Sequence, residues 1–149
     1  MLHFRRHHVY KKELVVGLGV QATPVPCGSG TPPAETLVIS VGRRCLIFRL
    51  YRADRVPMRL RRFFREPSHT FVGFNNSSDR QKLKKSMHAL ELARDPLDLR
   101  RLHVEVDGDG AEASVSNWNE SSLSLDQISY AVCNAYSAFE IGMNNKAWE

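Results

Sequence analysis

The sequence predicts an α/β domain, in which helices pack against a sheet. Short apolar runs rich in Val, Ile and Leu are typical of buried strands, and they alternate with segments whose apolar residues recur at helical spacing. The 149 residues, 42% of them hydrophobic, can bury one core of ordinary size but not two. The predicted order is a strand, a hairpin, a helix, a strand, a helix, a short strand, a loop and a helix, which favours a two- or three-layer α/β domain.

The first half of the chain supplies three strands and one helix. Residues 14–20 are a short apolar run and predict a buried strand. After a proline-rich loop, the β-rich runs 37–41 and 45–50 flank a compact connection at 42–44, which predicts a hairpin. A helix is expected to begin at Pro57, because proline is favoured in the first turn. Its apolar face is predicted to contain Met58, Leu60, Phe63 and Phe64.

The middle of the chain returns to strand character and then to a helix. Residues 69–74 predict a strand and 97–99 a short one. Apolar residues at helical spacing predict a helix over 79–93. They are Leu83, Met87 and Leu90. Residues 103–117 are acidic and contain glycines, which indicates a loop.

A long final helix is expected after this loop. Ser124 and Gln127 have the spacing of a capping box, which marks a helix start. The buried line of the helix is predicted to be Ile128, Val132, Ala135 and Phe139.

Charge is distributed unevenly along the chain. The chain has 21 Lys+Arg and 16 Asp+Glu, a net charge of +5. Residues 1–65 carry +10, 66–102 carry +2 and 103–149 carry −7, and nine arginines fall between Arg43 and Arg65. A basic half of this kind is typical of a surface for a polyanion or an acidic protein. The arginines could also pair with the chain's own acidic last third, and the sequence leaves both interpretations open.

Composition excludes several classes of protein. No apolar run approaches the roughly 20 residues that a membrane span needs, and residues 1–12 lack the apolar stretch of a secretory signal. Cys27, Cys45 and Cys133 are odd in number and widely spaced, so neither a disulfide framework nor a zinc site is expected. The six histidines are scattered and predict no metal site. We therefore expect an intracellular protein of the nucleus or cytoplasm, with no membrane partner.

Four blocks of sequence carry a resemblance to a known family. They are VVGLGVQ at 15–21, VGRRCLIF at 41–48, TFVGF and SDRQKL within 70–83, and SNW, LSLDQISYA and FEIG within 116–142. In this order they resemble the Werner-syndrome-type 3′–5′ exonuclease domain of the RNase H-like superfamily, and the second block is similar to plant members.

The resemblance implies a fold and domain boundaries. The expected fold is an RNase H-like mixed β-sheet flanked by helices, with a single exonuclease-like domain at 14–143. A basic segment at 1–13 would precede it and a tail at 144–149 would follow. The domain is expected to be shortened relative to the family, because residues 103–117 stand where the family has a longer helical segment. A wall of the nucleic-acid cleft should then be missing.

The resemblance also implies a catalytic centre that this chain does not match. The family hydrolyses phosphodiesters with two Mg²⁺ or Mn²⁺ ions, held by four carboxylates near a tyrosine. An Asp-x-Glu pair of its first strand corresponds to Gly19 and Gln21 here, and a Tyr-x-x-x-Asp pair of its last helix corresponds to Tyr130 and Asn134. Only Asp79 keeps the expected carboxylate. Three of the four acids are therefore replaced.

We accordingly expect a non-catalytic protein. Two divalent ions bring a charge of +4, and a single carboxylate offsets too little of it. No catalytic residue is expected to be intact, no cofactor is expected, and Asp79 is at most a vestigial metal ligand beside the vestigial Tyr130. The predicted function is that of a pseudo-exonuclease that binds DNA or RNA without sequence preference.

The predicted nucleic-acid contacts are basic residues of the first two thirds of the chain. They are Arg43, Arg44, Arg59, Arg61, Arg62, Lys82 and Lys85. One alternative is a protein-interaction module, in which a protein partner or a second copy covers the missing wall. A second alternative is residual metal-dependent 3′–5′ exonuclease activity.

Overall fold

The computed structural model describes residues 14–25, 30–102 and 111–145. It contains a five-stranded mixed sheet with the strand order β3-β2-β1-β4-β5 and helices on both faces. The strands are β1 (Leu14–Gln21), β2 (Thr36–Val41), β3 (Arg44–Phe48), β4 (His69–Gly73) and β5 (Leu97–Asp98). The α-helices are α1 (Met58–Arg65), α2 (Asp79–Lys85), α3 (Ala111–Ser114) and α4 (Leu125–Asn144), and a 3₁₀ turn covers Leu99–Leu102. The predicted α/β class is confirmed.

Strand directions bring several chain segments to one edge of the sheet. β4 runs parallel to β1, with Val72 beside Gly17, and β5 runs parallel to β4. β2 is antiparallel to β1, and its first residue, Thr36, pairs with the last residue of β1, Gln21. β1 and β4 therefore end, and β2 begins, at the same edge, which we call the carboxyl edge.

The predicted hairpin is confirmed between β2 and β3. Val41 pairs with Arg44 across a turn of two residues, and Gly42 in its first position has φ 59°. Such a positive φ is unfavourable for residues that carry a Cβ, so glycine suits this turn. Because β2 starts at the carboxyl edge, the turn lies at the opposite end of the sheet.

The larger core lies between one face of the sheet and helices α1 and α2. Val16, Leu18 and Val20 alternate along β1 and point into it. Helix α1 contributes its buried Leu60, Phe63 and Phe64, and Leu83 comes from α2. Met58, which was predicted to join them, is 61% exposed, so that part of the prediction was wrong.

Helix α4 covers the other face, and the predicted capping box at Ser124 and Gln127 is confirmed. The predicted buried line was wrong by one residue, except at Ala135. The buried residues of the helix are Gln127, Ala131, Ala135, Ala138 and Gly142. The larger Ile128, Val132 and Phe139 are only half-buried and flank this line. Small residues take the centre because β1 presents glycines there, and the helix approaches the strand closely.

Helix α2 is shorter than predicted, since it ends at Lys85 rather than at residue 93. The hydroxyl of Ser86 donates to the carbonyl of Leu83 (2.6 Å), and so does the N–H of Leu90 (3.0 Å). Ala89 has φ 48°, which is incompatible with a continuing helix. The turn buries Leu90 but leaves Met87 69% exposed, so helical spacing was misleading here.

Several predictions concern residues that are only partly described. The one-turn helix α3 lies within the segment predicted to be a loop at 103–117, and residues 103–110 lie outside the described residues. The basic segment 1–13, Cys27 and residues 146–149 also lie outside them. In the part of the chain that is described, no helix is long and apolar enough to cross a membrane.

Candidate site at the carboxyl edge of the sheet

Three of the predicted site positions meet beneath helix α4. Gly19 and Gln21 are alternate residues of β1 and therefore share the face that α4 covers. A Cβ atom placed on Gly19 would lie 3.5 Å from Asn134 Oδ1 and 3.7 Å from Gln21 Nε2. These are ordinary van der Waals distances, so the position has room for a Cβ atom. The family resemblance thus singled out Gly19 and Asn134, which are 115 positions apart in the chain and adjacent in space.

Tyr130 stands one helical turn before Asn134 on α4. Its ring lies against the fully buried indole of Trp118, with ring centroids 6.4 Å apart. Partial burial raises the pKa of the Tyr130 hydroxyl, and a hydrogen bond with Ser114 opposes this shift. Tyr130 is therefore a neutral, half-buried aromatic residue at the rim of the site.

Asp79 is the first residue of α2 and follows the loop after β4, so it also lies at the carboxyl edge. Asp79 is only 5% exposed. Desolvation raises the pKa of its carboxyl group to about 7; nearby Asp98 adds to the rise and Lys82 opposes it. Among the described residues no hydrogen bond or salt bridge to this carboxylate is formed. A buried acid of this kind is protonated in a large fraction of molecules near neutral pH.

Sequence reasoning missed two further residues at this edge. Thr36 lies beside Gln21 across the β1–β2 ladder, and its fully buried hydroxyl has no partner among the described residues. Glu35 is a second buried carboxylate, 8% exposed, and accepts a hydrogen bond from the N–H of Thr23 at 2.7 Å. The only signal for Thr36 was a polar residue at the start of a largely apolar strand. Nothing in the sequence indicated that Glu35 would be buried.

The arginines that follow β3 bind main-chain carbonyl groups. Arg49 donates to the carbonyls of Trp118 (3.3 Å), Ser121 (2.9 Å) and Glu120, and Arg52 donates to that of Asn119 (2.6 Å). The salt bridges among the described side chains join other pairs, such as Arg65 with Glu91. Arg49 and Arg52 pair with carbonyl oxygens of the last third of the chain.

The predicted nucleic-acid contacts do not form one surface. Arg43 lies in the hairpin turn and Arg44 directly follows it, about 17 Å along β2 from the carboxyl edge. Arg59 and Arg62 are exposed on α1, whereas Arg61 donates to the carbonyl of His88 at 2.7 Å. Lys82 and Lys85 follow Asp79 within α2, and they are the basic residues of the predicted set nearest to it in the chain.

The donors at the carboxyl edge do not fit a pair of divalent cations. The described residues contain no group of three or more His, Cys, Asp or Glu side chains that could hold a metal. Gln21 and Asn134 offer neutral amide oxygens, Gly19 offers none, and Asp79 is the one carboxylate of the four positions. Mg²⁺ and Mn²⁺ prefer anionic oxygen ligands, and a carboxyl group with a pKa of about 7 is a poor one unless a metal displaces its proton.

Comparison with known proteins found matches by structure only. No protein-family model and no curated protein sequence matches the chain. The EXO domain of Aedes aegypti Nibbler matches with a TM-score of 0.66 and 14% identity, over 93% of this chain and 80% of that one. Escherichia coli RNase D, an exoribonuclease involved in structured RNA processing, matches with a TM-score of 0.67 and 13% identity, over 95% of this chain. The chain has the fold of a 3′–5′ exonuclease domain.

The matches confirm the predicted RNase H-like fold. At 13–14% identity they show the fold alone. The exonuclease-like chain is also shorter than these relatives, as predicted, since it spans 80% of the Nibbler domain and 41% of RNase D. A third match, the EXD2 exonuclease domain soaked in Mg and GMP, has a TM-score of 0.51 and 21% identity, over 93% of this chain and 78% of that one.

Proposed function

We propose that the chain is a catalytically degenerate 3′–5′ exonuclease-like domain that binds nucleic acid through basic residues without cleaving it. The observation that carries the proposal is the meeting of Gly19, Gln21 and Asn134 at one point, with atoms within 3.5–3.7 Å of the missing Gly19 Cβ. The positions that resemble metal ligands are close enough to cooperate. All three hold neutral residues.

The state of Asp79 supports the same proposal. Two adjacent cations would need several carboxylates to offset their mutual repulsion. Of the four positions that resemble metal ligands, only Asp79 holds a carboxylate, which is buried, accepts no hydrogen bond among the described residues, and has a pKa of about 7. The attraction of Lys82 only partly offsets the desolvation, so the surrounding protein disfavours the charged form of this group.

Binding of nucleic acid is supported by charge and by the substrates of the proteins that the chain matches in structure. The chain has a net charge of +5, and exposed basic residues on α1 and α2 remain outside its salt bridges. Contacts of lysine and arginine with phosphates release counterions, so affinity should fall steeply as salt rises. RNase D is described as an exoribonuclease, which makes RNA the first ligand to test.

Restoring the missing acids tests the catalytic half of the proposal. The unmodified protein should bind no Mn²⁺ pair in calorimetry and should leave a labelled oligonucleotide intact. The variant Gly19→Asp/Gln21→Glu/Asn134→Asp should bind Mn²⁺, because a Cβ atom fits at Gly19 and these three positions converge. Asp79→Ala in that background should abolish the gained binding.

The control for this experiment is the single variant Asp79→Ala, which lacks the three restored acids. If the unmodified protein degrades oligonucleotides with Mn²⁺ and Asp79→Ala removes the activity, the residual-exonuclease alternative is correct and the proposal is wrong. Activity that survives Asp79→Ala points to a contaminating nuclease.

The second candidate function is a protein-interaction module. The observation that favours it is strand β3, which lies at the border of the sheet and carries exposed apolar side chains. Size-exclusion chromatography with light scattering, run beside an oligonucleotide gel shift, separates the two functions. A stable oligomer that shifts no oligonucleotide would favour the module.

A further inference from the structure

Strand β3 is an edge strand of the sheet that the described residues form. It pairs with β2 on one side, and no strand of the described residues pairs with its other side. Arg44, Cys45 and Leu46 are exposed, and Leu46 is 39% exposed. Its register with β2 continues without a bulge, and the strand contains no proline. Apart from its arginine, it lacks the features with which proteins protect a free edge from pairing with another chain.

The hairpin determines which main-chain groups face outward. In a hairpin with a two-residue turn, the flanking residues Val41 and Arg44 form a hydrogen-bonded pair. Hydrogen bonding then alternates along the ladder, so Leu46 and Phe48 also bond to β2. The N–H and C=O groups of Cys45 and Ile47 point away from the sheet. They are available to a further strand.

We propose that β3 pairs antiparallel with β3 of a second copy, about a two-fold axis at Leu46. In this register the main chains of Cys45 and Ile47 bond to Ile47 and Cys45 of the other copy, so every outward group of both residues is used. Leu46 lies opposite Leu46, so two apolar side chains meet at the two-fold axis. The strand is therefore complementary to itself.

Charge at the two ends of β3 favours a second copy. The hairpin end carries exposed Arg43. The other end is held to the loop 118–121 by Arg49, and that loop carries exposed Glu120. A two-fold axis at Leu46 places the hairpin end of each copy beside the loop of the other. In this register Arg43 lies opposite Arg49, whose guanidinium is engaged by carbonyl oxygens of the loop, and the carboxylate of Glu120 in the same loop offsets the repulsion between the two arginines.

A disulfide test measures this register directly. In a background where Cys27, Cys45 and Cys133 are changed to Ser, Leu46→Cys should form an intermolecular disulfide under mild oxidation. A non-hydrogen-bonded antiparallel pair has Cα atoms about 4.5 Å apart, within the range for disulfides. The matched control retains Cys45 as its single cysteine and should form no disulfide. In the proposed register the two Cys45 residues are offset by two positions along the strands, which is too far for a disulfide. Cross-linking of Cys45 in place of Leu46→Cys would overturn the proposed register.

The strength of the dimer is tested without cysteines. The unmodified protein should show a concentration-dependent dimer in sedimentation velocity, and Leu46→Lys should weaken it at least tenfold by placing two lysines opposite each other. Met87→Lys, at a residue 69% exposed elsewhere, should leave the dimer unchanged. A protein that stays monomeric at all concentrations would overturn the proposal. Protection of β3 amides from hydrogen exchange only when an acidic extended peptide is added would show that another protein supplies the strand. The proposal is independent of nucleic-acid binding.

Discussion

Gly17 and Gly19 lie two residues apart on β1, and they differ in the space that surrounds the position of a Cβ atom. A Cβ on Gly17 would lie 1.9 Å from the carbonyl oxygen of Ala135, so this glycine allows α4 to approach the strand. A Cβ on Gly19 would meet nothing closer than 3.5 Å. Only the first glycine is required by packing. The second leaves space that the fold does not need.

Replacing each glycine by alanine should therefore have opposite effects. Gly17→Ala should lower the free energy of unfolding by about 1–3 kcal/mol, because α4 must move away from β1. Gly19→Ala should leave stability unchanged or raise it by up to about 1 kcal/mol, since alanine restricts the unfolded chain. Urea denaturation of both variants measures this difference. Equal destabilisation would show that Gly19 is also constrained by packing.

Asp79 should make stability depend on pH. Its folded pKa of about 7 lies above the usual 3.8, so between these values the folded state holds a proton that the unfolded state has lost. The free energy of unfolding is therefore highest, as far as Asp79 affects it, below about pH 4, and it falls as the pH rises from there through 7. The total fall that corresponds to this pKa difference is about 4 kcal/mol.

Asp79→Asn should remove this dependence. The variant should be more stable than the unmodified protein at pH 8, and the difference should disappear near pH 4. Thermal unfolding across this range, with Asp54→Asn in an exposed loop as control, measures it. A constant difference at every pH would mean that the Asp79 carboxylate is solvated.

At the scale of elements, the link between β3 and the loop before α4 rests on Arg49. Its guanidinium donates to three carbonyl groups of residues 118–121. This loop carries Trp118, which packs against Val38, Ala131 and Ala135 in the core beneath α4. Arg49 thereby couples the end of the sheet to the helix that bears Tyr130 and Asn134.

Arg49→Ala should lower the free energy of unfolding by about 2 kcal/mol, because it removes hydrogen bonds to a charged donor and leaves carbonyl oxygens without it. Arg59→Ala, on the exposed face of α1, should change it by less than about 0.5 kcal/mol. Denaturant titration of both variants checks the contrast. If the two substitutions had similar effects, water would replace the hydrogen bonds of Arg49 to the carbonyl groups with no loss in the free energy of unfolding.

The elements were predicted to different degrees. The start of α4 was correct, because a capping box acts within four residues. The prediction of the buried residues of α4 was wrong. Ile128 and Val132 are more apolar than Ala131, but the close approach of the helix to Gly17 leaves room only for small residues at its centre. The end of α2 was also missed. Contacts of Ser86 and Leu90 with Leu83 end that helix, and spacing alone does not reveal them.

At the scale of the whole molecule, the basic residues lie at separate places. Lys82 and Lys85 belong to α2, which begins with Asp79 at the carboxyl edge, while Arg43 and Arg44 lie at the hairpin turn at the opposite end of the sheet. A nucleic acid bound at the carboxyl edge would contact the two lysines and not the two arginines. The total charge of the chain does not make this distinction.

Anisotropy measurements with a labelled single-stranded RNA should detect the distinction. Lys82→Gln/Lys85→Gln should weaken binding and reduce the slope of affinity against salt by about 0.7 for each lost contact. Arg43→Gln/Arg44→Gln removes the same charge and should leave the slope unchanged. A larger effect of the arginine pair would place the nucleic acid at the hairpin end.

The sequence by itself determined the order of the strands and of the longer helices, the hairpin turn, the start of α4 and the neutral residues at Gly19, Gln21 and Asn134, because these depend on local pattern or on residue identity. Only the tertiary structure decided that Gly19, Gln21 and Asn134 meet, that Asp79 is buried with a pKa of about 7, and that Arg49 and Arg52 bind carbonyl groups. Burial and long-range contacts arise from packing between segments far apart in the chain. Charge counting cannot distinguish an arginine held by carbonyl oxygens from one that faces solvent.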